Sequence, residues 1–310
     1  LSVVRAALTR QPREDSPELQ SYFEAVVQGA VSAAASQHED AQEIISSLTD
    51  ALIAGNQTHK LNVDWKNYVY ELLIHSFTGQ DGMTNYIENT IEPRIFRAMR
   101  RYESYNPQGV DRYIDAVHLC IYAVKNKDEN NFFRYFNRQD MNNNFLVRTP
   151  EDIGALVTEV ASYDAVFALE PIMERGSPNL FDAMIRAAEA GSPNVFGILY
   201  PRVMDAQARQ DQDVLEEVLN TVLRGGNKDC FNMMRNHVTT DKIIEAVPII
   251  IQCGHLELLK AAMPDSIGND FLTQFLDIAV RSGRSEIALF FIDEFRVNPT
   301  SFIQRIENEP

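Results

Sequence analysis

The sequence predicts an all-α protein, on three observations. Apolar residues recur with helical period along nearly every segment, and no alternating run bounded by hairpin turns stands out. Capping side chains stand directly before prolines at Ser16-Pro17, Asn106-Pro107, Thr149-Pro150, Ser177-Pro178 and Ser192-Pro193. There the hydroxyl or amide accepts from an orphan N–H of the first turn, and proline gives up nothing at the first helical position. Gly55, Gly79, Gly191, Gly226, Gly254 and Gly283 each follow an apolar-periodic run, where a left-handed residue stops a helix.

Taken in order, the first helix falls at about 17–36, rich in Ala25, Val26, Val27, Ala30, Val31, Ala33, Ala34 and Ala35. Small residues of this kind allow close helix–helix approach. Four more helices are expected near 40–54, 63–78, 81–89 and 92–104. In the second of these, Trp65, Tyr68, Val69, Leu72 and Leu73 follow i, i+3, i+4, i+7, i+8, so Trp65 is expected in the core. A break at Tyr105-Asn106-Pro107 divides the chain into a helical region at 1–105 and a second region at 106–310.

The second region carries a recurrence. An apolar residue stands five positions beyond each of the turn residues Lys127, Ser162, Gly191, Gly226, Gly254 and Gly283. These residues are Phe132, Phe167, Phe196, Phe231, Leu259 and Ala288. The turns are 35, 29, 35, 28 and 29 residues apart, a spacing in the range of helical repeats. A small residue precedes three of them by four positions (Ala123, Ala187, Ala279), where it lets two antiparallel helices pack closely. Glycine at the turn reverses the chain at positive φ. Pro171, Pro201 and Pro264 fall where each second helix should kink or end. Within 214–223, Val214, Leu215, Val218, Leu219, Val222 and Leu223 form one apolar stripe.

These junctions resemble the ankyrin repeat family. Met173–Asn179 is similar to the close of a second helix followed by the family's Gly-x-x-x-Asn turn, here one residue shorter as Gly176-Ser177-Pro178-Asn179, and Arg186–Gly191 resembles the Ala-Ala-x-x-Gly junction between paired helices. Gly254-His255-Leu256-Glu257-Leu258-Leu259 and Ser282–Ile287 resemble the start of a second helix, and Val297–Thr300 a final turn. The resemblance covers about 110–300 and implies an α-solenoid of helix pairs that binds a protein partner rather than performing catalysis. No unit carries the family's Thr-Pro-Leu-His opening, and three of the spacings are only 28 or 29 residues. Little room remains for a hairpin finger, so the expected binding surface moves to the helices and loops. An armadillo, HEAT or tetratricopeptide-like array and a non-repeat helical fold stay open. Divergence of this kind beside an unfamiliar helical region suggests, by analogy, a pathogen or viral protein acting in a host cell.

The chemistry is sparse. The 310 residues carry a net charge of −16, which opposes phosphate contacts and favours a basic protein partner over nucleic acid. Three cysteines, Cys120, Cys230 and Cys253, sit in apolar stretches and are expected as buried thiols of a reducing compartment such as the cytoplasm. No apolar run is long enough to cross a membrane. None of the six histidines has metal-ligand spacing, and no nucleophile elbow or phosphate loop is present. No catalytic residue, metal or cofactor is expected. His118 and Cys120 point to different faces of one helix; His75 is expected at the core or its rim, and His255 in a structural role at its junction.

Arg94, Arg97 and Arg101 recur on one helical face and are the candidate anchor for an acidic partner segment. Ala187, Gly191, Gly226, Gly254, His255 and Gly283 are the candidate junction residues. The leading expectation is a non-catalytic interaction scaffold. The alternatives are an enzyme whose first region is catalytic and whose repeats select substrate, and a self-assembling structural subunit.

Overall fold

The computed structural model describes residues 17–36, 39–59, 63–77, 81–99, 115–139, 143–204, 212–264 and 267–297. These residues are helical apart from turns, loops and one isolated antiparallel bridge between Gln139 and Phe145. The chain is all-α, as the periodicity predicts. It forms two compact units, Leu1–Val147 and Arg148–Pro310. The division expected at 105/106 falls outside the described residues, and the helix pair that follows it groups with the first unit.

In the first unit α1 (Pro17–Ala35) packs along α2 (Ala41–His59) and against α3 (Trp65–Ser76). Ala30, Ala33 and Ala34 of α1 are buried, as are Ile45, Leu48 and Leu52 of α2, so the small-residue face does bring two helices together. Gly55 does not stop α2; it is buried within the helix, which runs on to His59. Trp65 is buried against Tyr68, whose hydroxyl meets Thr49 at 2.9 Å. Within the described residues the helices expected at 81–89 and 92–104 are one continuous run over 81–99. In it α4 (Asp81–Tyr86) widens into a π turn at Ile87–Ile91 and continues as α5 (Glu92–Met99). The π turn presents Glu88 to α7 (Glu129–Phe136) and the residues just after it, where Arg134 and Arg138 bond it at 2.5 and 3.0 Å. α6 (Ala116–Lys125) pairs with α7 through buried Cys120, Ala123 and Phe132.

The second unit is a series of helix pairs: α8 (Pro150–Tyr163) with α9 (Val166–Arg175), α10 (Leu180–Ala190) with α11 (Pro193–Val203), and α12 (Gln212–Gly225) with α13 (Lys228–Met234). Then come α14 (Thr240–Cys253) with α15 (Leu256–Ala262) and α16 (Asn269–Arg281) with α17 (Ser285–Phe295). The first helices contact one another in chain order, α8 to α10 to α12 to α14 to α16. The second helices do the same from α9 through α11 and α13 to α15.

The helix starts correct two expectations. Thr149 caps α8 with a reciprocal capping box to Asp152, as its proline predicts. Asn179, not Ser177, caps α10, accepting from Phe181 and Asp182 N–H. Ser192 precedes Pro193 at the start of α11 but is buried and makes no side-chain cap. Ser16-Pro17 and Asn106-Pro107 involve residues outside the described ones. Pro171 and Pro201 lie inside α9 and α11, and Pro264 follows the end of α15.

Candidate partner-binding surface

Each junction is a left-handed residue. Lys127, Asp164, Gly191, Gly226, Gly254 and Gly283 have φ of 55°, 55°, 70°, 72°, 85° and 67°. Five match the expected turns; the sixth corrects Ser162, which lies inside α8, to Asp164 two residues later. With that shift, the residue five beyond each turn is Phe132, Leu169, Phe196, Phe231, Leu259 or Ala288, and all six are buried. Phe167 is only half-buried. A phenylalanine or leucine fully buried at such a point contributes about 2–3 kcal/mol.

The residue four before the turn has a second role besides allowing close approach. Its carbonyl accepts the N–H of the residue after the turn. This bond joins Asp128 to Ala123, Ala165 to Val160, Ser192 to Ala187, His255 to Ile250 and Arg284 to Ala279, at 2.8–3.2 Å. It is the six-to-one bond of a Schellman helix end.

The junctions of the second unit are also bonded to one another. Val195 N–H and the Asn194 amide donate to the Asp164 carboxylate at 2.8 and 2.6 Å. Asn227 Nδ2 donates to Gly191 O at 3.1 Å, His255 Nε2 to Arg224 O at 2.8 Å, and Arg284 to Gln252 O at 2.6 and 3.0 Å. Since a carbonyl only accepts, His255 carries its proton on Nε2 in this bond. His255 has the structural role expected of it, but toward the preceding junction. The last carbonyls of α12 and α14 gain donors there, and the Arg284 cation stands at the negative end of α14.

A surface feature emerges that sequence spacing alone did not single out. On each first helix, the residues nine, six, five and two before the turn form one stripe at i, i+3, i+4, i+7. On α10 these are Asp182, Ile185, Arg186 and Glu189; on α12 Glu217, Asn220, Thr221 and Arg224; on α14 Glu245, Pro248, Ile249 and Gln252. The position nine before the turn is exposed on all five first helices, and the position five before it is half-buried or exposed. On α10, α12 and α14 the positions nine and two before the turn are exposed, whereas those three and four before it are buried. Periodicity could have found the stripe only once the turns were correctly placed.

Of the expected anchor in the first unit, two of the three arginines are among the described residues. Arg94 is half-buried and donates to Ser46 Oγ and Asp50, fastening α5 to α2. Arg97 is exposed with its Nε on Pro93 O, and Arg101 lies outside the described residues. Cys120 and Cys230 are buried, whereas Cys253 is only half-buried, correcting the expectation for that thiol. Burial pushes the Cys230 thiol up to about 12, so it is protonated at neutral pH. His75 sits at the rim, about half exposed, near Glu71.

A pocket of about 250 Å³ opens where α3 and α6 begin, lined by Asp64, Lys66, Asn67, Tyr70, Asp115 and His118. Burial alone would raise the Asp115 carboxyl, but hydrogen bonds from Lys66 at 2.6 Å and His118 at 2.8 Å hold it below its ordinary range. A carboxyl held ionised is not a general acid at neutral pH. Asp64 and Asp115 cap their own helices, so this pocket is organised by helix starts. Among the described residues no cluster could hold a metal, and no helix is long and apolar enough to cross a membrane. No family model, curated protein or solved structure matches the chain.

Proposed function

We propose that this chain is a non-catalytic protein–protein interaction scaffold. In this reading the second unit is an ankyrin-like solenoid of helix pairs with reduced fingers, and it binds its partner through the aligned stripes of the first helices. The observation that carries the reading is the repeated exposure of the same stripe positions, nine and two before the turn, on α10, α12 and α14, which touch in chain order. Charge supports the choice of partner: residues 148–310 hold 25 acidic and 14 basic side chains, so this unit carries −11 of the chain's −16. A basic partner surface would be steered toward it and held less tightly at high salt.

The test reverses charge at the same stripe position on adjacent helices, Glu217→Lys together with Glu245→Lys. Both side chains are exposed, so helix content should be unchanged. The parent chain should capture a salt-sensitive protein set by crosslinking, and the variant should lose it. An identical set from the variant, with identical salt dependence, would refute the stripe as the binding surface.

A further inference from the structure

We propose that the first unit contains a binding site for a small, uncharged, polyhydroxylated ligand of monosaccharide size. The site is a cavity of about 460 Å³ lined from α3, α4 and α7 and the residues adjoining them. That volume is within the range of small-molecule sites.

Its wall is built from committed polar groups. Ser76 and Thr84 are 1% and 5% exposed and lie 2.9 Å apart. Ser76 Oγ donates its only proton to Leu73 O at 2.7 Å, so the proton between the two hydroxyls comes from Thr84. Both protons are thereby engaged, and what the hydroxyl pair has left to offer is acceptor lone pairs. Asp128 takes Asn131 N–H on Oδ1 at 3.1 Å and Asn131 Nδ2 on Oδ2 at 2.7 Å, and each carboxylate oxygen retains accepting capacity. A ligand seated here must therefore bring several hydrogen-bond donors, which the hydroxyls of a polyol supply without adding charge.

Donors face the same space. Asn85 accepts from Arg134 through Oδ1 at 2.7 Å, which fixes the orientation of its amide and leaves the Nδ2 hydrogens uncommitted among the described residues. Asn130 lines the cavity from an exposed position. The Arg134 guanidinium is matched by Glu88 at 2.5 and 3.2 Å, so it is not a vacant anion anchor. With Asp128 beside it, the cavity disfavours phosphate and carboxylate ligands. Phe77, whose ring rests against Tyr122 and Tyr135, supplies an apolar surface for the C–H face of a sugar ring.

The test titrates the full chain with D-glucose, D-galactose, N-acetyl-D-glucosamine and myo-inositol, read by chemical-shift changes and calorimetry. At least one should bind saturably, with a Kd on the order of 1 mM. Asn130→Ala should weaken it about tenfold, near the loss of one good hydrogen bond. Thr84→Val should do the same, and the exposed Asn130 variant keeps the test decisive if the buried one unfolds. Absence of saturable binding at about 20 mM, well above that Kd, would overturn the proposal. So would unchanged binding by Asn130→Ala, or tighter binding of a phosphorylated sugar than of its parent.

Discussion

At Gly226 two constraints fall on one residue. Its φ of +72° penalises any side chain, and a Cβ there would lie 2.4 Å from the His255 ring. Gly283 has nearly the same backbone, φ +67°, but a Cβ would meet nothing within 4 Å. Gly283→Ala should therefore cost about 1–2 kcal/mol, the left-handed penalty alone. Gly226→Ala should cost more, because the ring must move and Arg224 O loses its donor. His255→Ala made alongside it should relieve part of that excess. Denaturant titration of the three variants checks this, and equal losses at the two glycines would refute it. The turn expected at Ser162 falls instead at Asp164, a residue whose type does not announce positive φ. Glycine reports positive φ from sequence, whereas Asp164 reaches φ 55° while its carboxylate holds Asn194 and Val195 of the next pair. That compensation is tertiary and invisible in local sequence.

Between elements, polar side chains decide how helices are fastened. Asp115 caps α6 and receives Lys66 from α3, so one carboxylate serves a helix start and a helix–helix link. Its pKa is lowered in the folded chain, so the native state favours the ionised form. The stabilisation it gives is fully present above the ordinary carboxyl value of 3.8 and is lost as pH falls through the lowered one. Asp115→Asn keeps a capping side chain but removes the charge. It should flatten the acid limb of stability against pH, measured by chemical denaturation between about pH 2 and 6. An unchanged acid limb would mean that the link carries no pH dependence. The helices themselves were largely legible, because amphipathic period survives in each of them. Their boundaries were less so: Gly55 lies buried inside α2, which runs on to His59, and two expected helices join through the π turn at 87–91.

Across the whole second unit, stability should be distributed by position. The pair α12/α13 has neighbouring pairs before and after it, whereas α16 is bonded to α14 on one side. In such an array protection depends on neighbours. Hydrogen exchange should be slowest in α10 through α13 and faster in α16, and uniform protection would show that the unit opens only as a whole. The proposed binding surface was the least legible part of the chain. The stripe depends on which helix faces are covered by neighbours, and the bond from Arg94 to Asp50 joins residues 44 apart in the chain.

The bonds between junctions all run the same way: the later pair brings the donor and the earlier pair the acceptor. A chain made from its N-terminus would form each acceptor before the group that needs it leaves the ribosome. At these junctions no pair would wait with an unmatched donor, and every arriving junction would find its register already written on the one before.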